Sequence, residues 1–481
     1  MSGVLRVVVV GHTNTGKTSL LRTLTRDERF GEVSDEPATT RRVEGIQLLL
    51  SDGEPVVVLL DTPGLEDPDG VLDALDAFAG TERFNAPERV RSFLESSEAA
   101  THYEQEAKVL RQMLEGDAAI YVIDCREPVL GKYREELTIL THCAIPVLPV
   151  LNFVASPASR EAEWREQLAR LNLHAVVAFD TVVFDEAGER RLYEKLRTLL
   201  DAFDESLQRL IEDRRQQGEW LRRAAAEYLA ELLIDTAGCL RVIPADLEPA
   251  KMREMILRNQ DAVRQREQRT VDGLLRLFRF SRRHYEHEQL PLVNGSWGMD
   301  LFNPDALKHY GVRMGGGAAA GAAAGATLDA ATLGATLGVG TVTGTAIGAL
   351  LGTSIPLRQR IWGRLHGLSE WRVSDETLRL LMLRQMTLIR ALLQRGHAAQ
   401  VPLATGDSAE ARWAREPLPA PVREARLKPR WSRLNPELFD PARGDRQVAV
   451  QRLAEEILRT LAVDAGAGTA DPARAAALLK R

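Results

Sequence analysis

The stretch Gly11-His12-Thr13-Asn14-Thr15-Gly16-Lys17-Thr18 constrains the fold of this chain more than any other. Its spacing of two glycines followed by Lys-Thr is the pattern of a phosphate-binding P-loop. The apolar run from Val7 to Val10 predicts a buried strand before the loop, and Ser19 opens a helical pattern after it. The chain therefore predicts an α/β nucleotide-binding domain at its N-terminus. A chance glycine-rich turn is the alternative, which this flanking pattern disfavours.

The loop residues have expected roles that follow from the chemistry of phosphate and Mg²⁺. Backbone N–H groups of the loop and the positive end of the following helix are expected to surround the phosphates. Lys17 is expected to reach the β- and γ-phosphates, and the Thr18 hydroxyl is expected to bind Mg²⁺. The predicted nucleotide contacts are Asn14, Thr15, Gly16, Lys17, Thr18 and Ser19.

Composition limits the class of protein. With 481 residues, of which 44% are apolar and 27% charged, the chain suits a soluble protein of several domains. The net charge of −6 argues against a uniformly basic nucleic-acid binder, though it allows a local basic face. The three cysteines lack metal-ligand spacing, and no signal peptide precedes the first predicted strand. We expect a cytoplasmic protein.

A second motif follows the predicted strand from Val56 to Leu60, which ends in Asp61-Thr62-Pro63-Gly64. An aspartate at the tip of an apolar strand facing a P-loop is suited to bind Mg²⁺. A glycine there lets the backbone approach a γ-phosphate without a clashing Cβ. Asp61 and Gly64 are therefore candidate site residues.

Together these motifs resemble a GTPase of the translation-factor-related group that includes Era and TrmE, over roughly Val4 to Leu200. The resemblance implies a Ras-like P-loop GTPase domain that binds GTP and GDP with Mg²⁺. Within the polar segment Ser34 to Arg41, it implies that Thr40 closes on Mg²⁺ and the γ-phosphate, with Thr39 as the less favoured choice. The expected catalytic contacts are Lys17, Thr40 and Gly64, and the expected metal contacts are Thr18, Thr40 and Asp61.

The same resemblance implies that Asp61 binds Mg²⁺ mostly through water and that the Gly64 amide senses the γ-phosphate. Leu65 stands where Ras-type GTPases carry the glutamine that orients water, so another group must position that water. Asn14 stands where some relatives carry an asparagine that helps to bind K⁺ beside the phosphates. A turn residue that tolerates unusual dihedral angles is an equally weighted alternative for Asn14.

The base-reading motif is incomplete. The predicted strand from Pro146 to Leu151 ends in Asn152-Phe153-Val154-Ala155, whereas the family pattern is Asn-Lys-x-Asp, with the aspartate pairing to guanine. Asn152 matches, Phe153 could stack on the base as a lysine stem does, and Ala155 cannot accept a hydrogen bond. The nearest candidate for a further guanine loop is Ala178-Phe179-Asp180-Thr181. Guanine specificity is thus implied by the resemblance alone.

The segment from Glu66 to Gly116 is long for a switch segment and one helix. The sequence leaves an inserted lid and an extended helical surface open, and charge patterning favours the second. Beyond the domain at 1–200, residues 201–310 form a charged, predicted helical region. Its arginine clusters allow an RNA or anionic-lipid surface, although solvated helix faces are the favoured alternative. The last part, 357–481, is predicted to be helical with a Pro- and Arg-rich loop from Val401 to Pro441.

Between them, residues 311–356 are rich in Gly and Ala, and Gly340, Gly344, Gly348 and Gly352 recur every four residues. On a helix this spacing puts the glycines on one face, where another backbone can approach closely. We interpret the segment as a glycine-zipper hairpin that contacts a membrane or forms a homo-oligomer through the Gly340–Gly352 face. A packed soluble hairpin and a flexible linker are the alternatives.

The predicted function is GTP hydrolysis with Mg²⁺, used as a conformational switch. One hypothesis for the output is a membrane-associated switch, peripheral to or inserted in the inner membrane through the glycine-rich segment. The second is a ribosome- or RNA-associated GTPase. The third is a nucleotide-binding scaffold with negligible hydrolysis, which would follow from Leu65 and the incomplete base motif.

Overall fold

The computed structural model describes residues 3–25, 45–77, 85–154, 156–180, 186–244, 247–278, 291–293, 295–312, 368–393, 417–442 and 444–467. Thr39, Thr40, Ala155 and the Gly340–Gly352 face lie outside these residues. Two compact units divide the chain between Gly218 and Glu219. The segment limits at 200, 310 and 356 stay predictions.

The first unit is built on a six-stranded mixed sheet in the order β2-β3-β1-β4-β5-β6. Only β2 runs antiparallel, against β3, as the Asp52-Gly53 turn between them predicts. This architecture confirms the predicted α/β class. The strands are β1 Leu5–Val10, β2 Gly45–Leu49, β3 Pro55–Asp61, β4 Ala118–Asp124, β5 Val147–Asn152 and β6 Val177–Ala178.

Strand β1 is buried on both sides, because successive side chains of a strand point to opposite faces of the sheet. Val7 and Val9 pack in a core with α1 and α8, whereas Val8 and Val10 pack in a second core with the remaining helices of the unit. These helices are α1 Lys17–Thr25, α2 Pro68–Ala77, α3 Ala86–Leu94, α4 Ser97–Thr101, α5 Glu104–Glu115, α6 Gly131–His142, α7 Glu161–Arg170 and α8 Glu186–Leu199.

The long segment after the second motif forms α2 to α5, which pack on the domain. Val71, Val90, Phe93 and Leu110 are fully buried in the same core as Val8. Asn85 and Glu88 form a capping box at the start of α3, which explains why a helix begins there. The structure therefore agrees with an extended helical surface and not with a detached lid.

The second unit is mostly helical. Its core gathers side chains from the part of α9 Asp204–Ala237 that follows Gly218, and from α10 Pro249–Leu277, α11 Pro304–His309, α12 Asp375–Leu393, α13 Ala420–Leu427 and α14 Gly444–Ala467. A short antiparallel pair, β7 Arg241–Pro244 and β8 Leu368–Trp371, was not predicted. Ser374 accepts a hydrogen bond from the Thr377 amide at 3.2 Å, so its side chain caps the start of α12.

The segment from Val401 to Pro441, predicted to be mostly loop, contains some regular structure within its described residues 417–441. Helix α13 and a 3₁₀ turn at Pro429–Trp431 occupy it, and the Trp431 side chain is buried. The reason is that proline is tolerated in the first helical turn, where its missing N–H has no partner to lose. Pro421 stands in the first turn of α13, so a residue that suggested a loop instead helps to start a helix.

A buried ionic network joins three helices of the second unit. The fully buried carboxylate of Asp235 accepts hydrogen bonds from Arg266 Nε at 2.9 Å and from Arg446 Nη2 at 3.0 Å. It also accepts one from the Arg433 backbone N–H at 3.2 Å. Because removing one partner would leave a buried charge uncompensated, this network requires α9, α10 and α14 to keep their positions.

Among the helices that the structure describes, none has the length and apolar character needed to cross a bilayer.

Candidate nucleotide-binding site

The P-loop turns sharply out of β1 because two of its residues are glycines. Gly11 has φ +143° and Gly16 has φ +100°. A Cβ added at Gly11 would lie 2.5 Å from the carbonyl oxygen of Val122 in β4. Asn14 adopts the left-handed region with φ 64°, which asparagine tolerates better than most residues. The loop therefore has the backbone geometry that its sequence predicted.

Lys17 folds back over this loop. Its Nζ donates hydrogen bonds to the carbonyl oxygens of Gly11 at 2.7 Å and His12 at 2.8 Å. Burial lowers the pKa of Lys17, while the charges of Asp61 and Glu136 oppose that change. An ammonium held by loop carbonyls and partly withdrawn from water is prepared to attract an anion such as a phosphate.

Asp61 lies beside this lysine at the end of β3, whose register pairs it with Val9. Its Oδ1 is buried and has no hydrogen-bond partner in the described protein. Burial raises the pKa of Asp61, and the Lys17 charge opposes the rise. A buried carboxylate oxygen without a partner, together with the Thr18 hydroxyl on α1, is a set of hard oxygen donors that fits Mg²⁺.

Gly64 approaches the P-loop closely. A Cβ added at Gly64 would lie 3.2 Å from the Thr13 amide nitrogen, tighter than most real contacts. The preceding Thr62 is held by a hydrogen bond from its hydroxyl to the Val9 carbonyl at 2.8 Å. The second motif is therefore placed against the first, as the sequence predicted for a strand end facing a P-loop.

The next residues are tied to α5. Leu65 is buried in the core, so its side chain does not face the solvent where a hydrolytic water would enter. The Glu106 carboxylate, itself buried, accepts hydrogen bonds through Oε1 from the backbone N–H of Glu66 at 3.0 Å and of Asp67 at 3.1 Å. The sequence did not predict this role for Glu106, because no local signal links it to residues forty positions earlier.

The residues at the end of β5 contact both the P-loop and the side chain of Arg126. The buried Asn152 donates through Nδ2 to the Thr15 carbonyl at 2.8 Å. The next residue, Phe153, has φ 57°, and the Arg126 guanidinium lies 3.8 Å from the centre of its ring. Asp124 holds that guanidinium at Nε and Nη2, at 2.9 and 2.6 Å. Arg126 was missed, although the Asp-x-Arg spacing after an apolar strand is a readable signal.

A further cluster behind the loop was also missed. His12 Nδ1 lies 3.0 Å from Glu136 Oε1, and His12 Nε2 lies 2.9 Å from Lys132 Nζ. Glu136 is buried and also accepts a hydrogen bond from the Tyr121 hydroxyl. Because the Lys132 ammonium can only donate, it requires Nε2 to accept, and Nδ1–H then donates to Glu136. The cluster fixes the P-loop against α6.

The structure thus brings together most of the predicted site residues in the first unit. These residues lie at the carboxyl edge of the sheet: Asp61 and Asn152 end β3 and β5, Asn14 to Gly16, Gly64 and Phe153 lie on the loops that follow strands, and Lys17 to Ser19 begin α1. Thr40 lies outside the described residues, so its role stays a prediction. A ligand site at this edge is the general rule for open α/β sheets.

Family comparison agrees with both parts of the chain. Residues 165–455, more than half of the chain, match the family described as "Domain of unknown function (DUF3482)". The chain belongs to the DUF3482 family. Residues 6–153 match a family described as "50S ribosome-binding GTPase". The first unit of this DUF3482 member is a Ras-like P-loop GTPase domain.

Curated relatives match the same N-terminal part. Identity is 36% over 92 residues to GTPase Der of Symbiobacterium thermophilum, covering 19% of each chain. It is 38% over 78 residues to GTPase Era of Clostridioides difficile, covering 16% of this chain and 25% of that one. It is 31% over 120 residues to the tRNA modification GTPase MnmE of Alkaliphilus oremlandii, covering 25% of each chain. The chain therefore spans about a quarter or less of these relatives' lengths.

Among solved structures, Era of Aquifex aeolicus bound to GDP and AlF4⁻ is similar at 20% identity and a TM-score of 0.28. That match covers 41% of this chain and 56% of Era. The G domain of the FeoB iron transporter of T. maritima is similar at 19% identity and a TM-score of 0.23, covering 42% of this chain and 99% of that domain.

Proposed function

We propose that the first unit binds GTP, hydrolyses it to GDP with Mg²⁺, and uses the difference as a conformational switch. The observation that carries this proposal is the meeting of Lys17, Asp61 and Gly64 at one glycine-rich loop. Lys17 attracts the phosphates, and the loop amides orient them. The named GTPases that match this part of the chain support the same activity.

Thr18 and Asp61 are the residues that would hold Mg²⁺. When bound, the ion neutralises charge on the phosphate oxygens. Lys17 stabilises the negative charge that develops during phosphoryl transfer, because it is a fixed cation in a partly buried site. Leu65 is buried, so a group other than the side chain at this position orients the attacking water.

The switch would act through the backbone at Gly64 and the residues that follow it. Gly64 lies against the P-loop, and a γ-phosphate would offer a hydrogen-bond acceptor to its amide. Glu66 and Asp67 are tied to α5 through Glu106, so movement at Gly64 would be transmitted to α2 and α5. Thr40 is expected to supply the corresponding contact from the other switch segment.

Nucleotide titration of the purified full-length chain tests the proposal. We expect fluorescently labelled GTP and GDP to bind in the presence of Mg²⁺, ATP to bind more weakly, and GTP to release phosphate. Absence of binding by all three nucleotides would contradict the site. Tight binding without phosphate release above background would instead favour the scaffold hypothesis.

For the output, we propose contact with a membrane surface through the glycine-rich segment at 311–356, with self-association through Gly340–Gly352. Support comes from the spacing of the glycines in the sequence and from the small number of charged residues in this segment. The competing proposal is ribosome or RNA binding, supported by the description of the matched GTPase family. We expect the GTP-loaded chain to float with anionic liposomes. Sedimentation with ribosomes and no flotation would favour the second output.

A further inference from the structure

The chain lacks the carboxylate that its own motif should contain. Guanine presents two adjacent donors, N1–H and the 2-amino group, and an ionised carboxylate accepts both. Adenine presents an acceptor at N1, so a carboxylate there repels it. The position that normally supplies this group is Ala155, whose methyl side chain has no acceptor. A guanine-specific site in this chain therefore needs a carboxylate from elsewhere.

The topology of the sheet brings another carboxylate, that of Asp180, to the edge of the sheet where the base would bind. Strands β5 and β6 are parallel neighbours with Val150 opposite Val177 and Leu151 opposite Ala178. The Phe179 amide extends this pairing through a hydrogen bond to the Leu151 carbonyl at 3.0 Å. Asp180 therefore follows β6 where Phe153 follows β5, its neighbour in the sheet. Both residues lie at the carboxyl edge of the sheet, the edge that also carries the P-loop after β1.

The charge of Asp180 also acts on Arg126, the residue that lies over the Phe153 ring. Hydrogen bonding to Asp124 is the largest cause that raises the pKa of Arg126, and the Asp180 charge contributes to the rise. The Arg126 guanidinium lies 3.8 Å from the centre of the Phe153 ring, so the Asp180 charge acts on a group that contacts this ring. The Asp180 side chain is only partly buried.

We propose that Asp180 supplies the carboxylate that reads the N1–H and 2-amino group of guanine, with Phe153 as the aromatic surface for the base. The inference rests on the proposed GTP binding and names the residue that determines its base specificity. It explains how a guanine site can function with alanine at position 155. The acceptor has moved from the loop after β5 to the loop after β6, its neighbour in the sheet.

The Asp180→Asn variant tests this inference because it should change the base preference from GTP towards XTP, and not only lower the affinity for GTP. Xanthine keeps N1–H but has a carbonyl oxygen in place of the 2-amino group. An asparagine can accept from N1–H and donate to that oxygen. We expect Asp180→Asn to bind GTP about 10- to 100-fold more weakly than the wild type and to bind XTP more tightly, because a bidentate base contact carries discrimination of this size.

Three controls make the result decisive. Asp201→Asn makes the same chemical change at an exposed position of the first unit and should leave the GTP-to-XTP ratio as in the wild type. ITP, which lacks the 2-amino group, should bind the wild type more weakly than GTP and should lose less than GTP in Asp180→Asn. In Asp180→Asn/Ala155→Asp, a carboxylate at the family position should restore GTP preference.

An unchanged GTP-to-XTP ratio in folded Asp180→Asn would overturn the inference while leaving GTP binding in place. A wild type that binds GTP and XTP equally would overturn it as well. Failure of the wild type to bind any of these nucleotides would instead refute the proposed function. Circular dichroism of each variant verifies that the fold is retained.

Discussion

The Asn152 side chain donates a 2.8 Å hydrogen bond to the carbonyl oxygen of Thr15, across 137 residues of sequence. Its own Oδ1 accepts from the Phe153 amide at 2.9 Å. The fully buried Asn152 side chain thus connects the P-loop to Phe153, the proposed aromatic surface for the base. The two halves of the nucleotide site are held as one unit before any ligand binds, which reduces the cost of ordering them on binding.

Replacing Asn152 by alanine should separate these halves. The buried Thr15 carbonyl would lose its donor, which costs about 1–3 kcal/mol of stability. We expect nucleotide affinity to fall by about 10-fold as the loop loses its brace. Urea unfolding and a GDP titration measure the two effects. Thr198→Ala, an exposed position on α8, is the control. Wild-type affinity in Asn152→Ala would contradict the bracing role.

Lys17→Ala should abolish measurable GTP binding at micromolar protein, because the charge contact to the β- and γ-phosphates is lost. The fold should persist, since the hydrogen bonds that Lys17 makes within the described residues go to loop carbonyls. Lys195→Ala, an exposed lysine on α8, should behave as the wild type. If folded Lys17→Ala binds and hydrolyses GTP normally, the P-loop assignment is wrong.

The cation hypothesis for Asn14 can be separated from the turn hypothesis by glycine. Asn14 has φ 64°, so glycine fits the turn without strain, whereas alanine would add strain of its own. If Asn14 helps to bind K⁺, hydrolysis in KCl should exceed that in NaCl for the wild type, and the two rates should be equal in Asn14→Gly. Equal wild-type rates in both salts would leave Asn14 as a turn residue.

Hydrolysis should require the Glu106 side chain as a hydrogen-bond acceptor, and it should not require the negative charge of that side chain. Its Oε1 accepts both backbone N–H bonds, and glutamine retains one such oxygen. We expect Glu106→Ala to lower the hydrolysis rate by about 10-fold or more, because a misplaced switch segment weakens catalysis. Glu106→Gln should restore most of the rate. Matching rates for all three proteins would show that the anchor is only structural.

Glu267 in the second unit should give the chain a pH-dependent stability. Burial raises its pKa to about 7, although Arg384 and Gln385 oppose the rise. Arg384 Nη1 lies 3.7 Å from its carboxylate, too far for a hydrogen bond. Since the folded-state pKa lies above the unfolded value of 4.5, the folded chain binds the proton more tightly, and this stabilisation is lost as pH rises through 7.

The measurable consequence is a change in the slope of the unfolding free energy against pH. Between pH 6 and pH 8 the wild-type second unit should lose about 1 kcal/mol of unfolding free energy from this group, and Glu267→Gln should not. Calorimetry at several pH values resolves this, with Glu254→Gln, an exposed position on the same helix, as the control. A pH slope that is the same in Glu267→Gln and the wild type would exclude Glu267 as its source.

Several features could be predicted from local sequence. The P-loop, the Asp61 to Gly64 motif and the Asp52-Gly53 turn each lie within a few residues, and the dihedral freedom of glycine and the alternation of apolar residues suffice to place them. The Ras-like α/β class of the first unit followed from the resemblance of these motifs to known GTPases. The incomplete base motif was likewise visible at Ala155.

The contacts that complete the site were decided by tertiary structure. Glu106 reaches the backbone of Glu66 across forty residues, and His12 meets Glu136 across 124. Asp180 lies at the same edge of the sheet as Phe153 because β6 pairs with β5. Local propensity carries no information on which distant side chain satisfies a buried donor. The packing of the sheet determines that choice, since buried polar groups must find partners wherever the fold brings them.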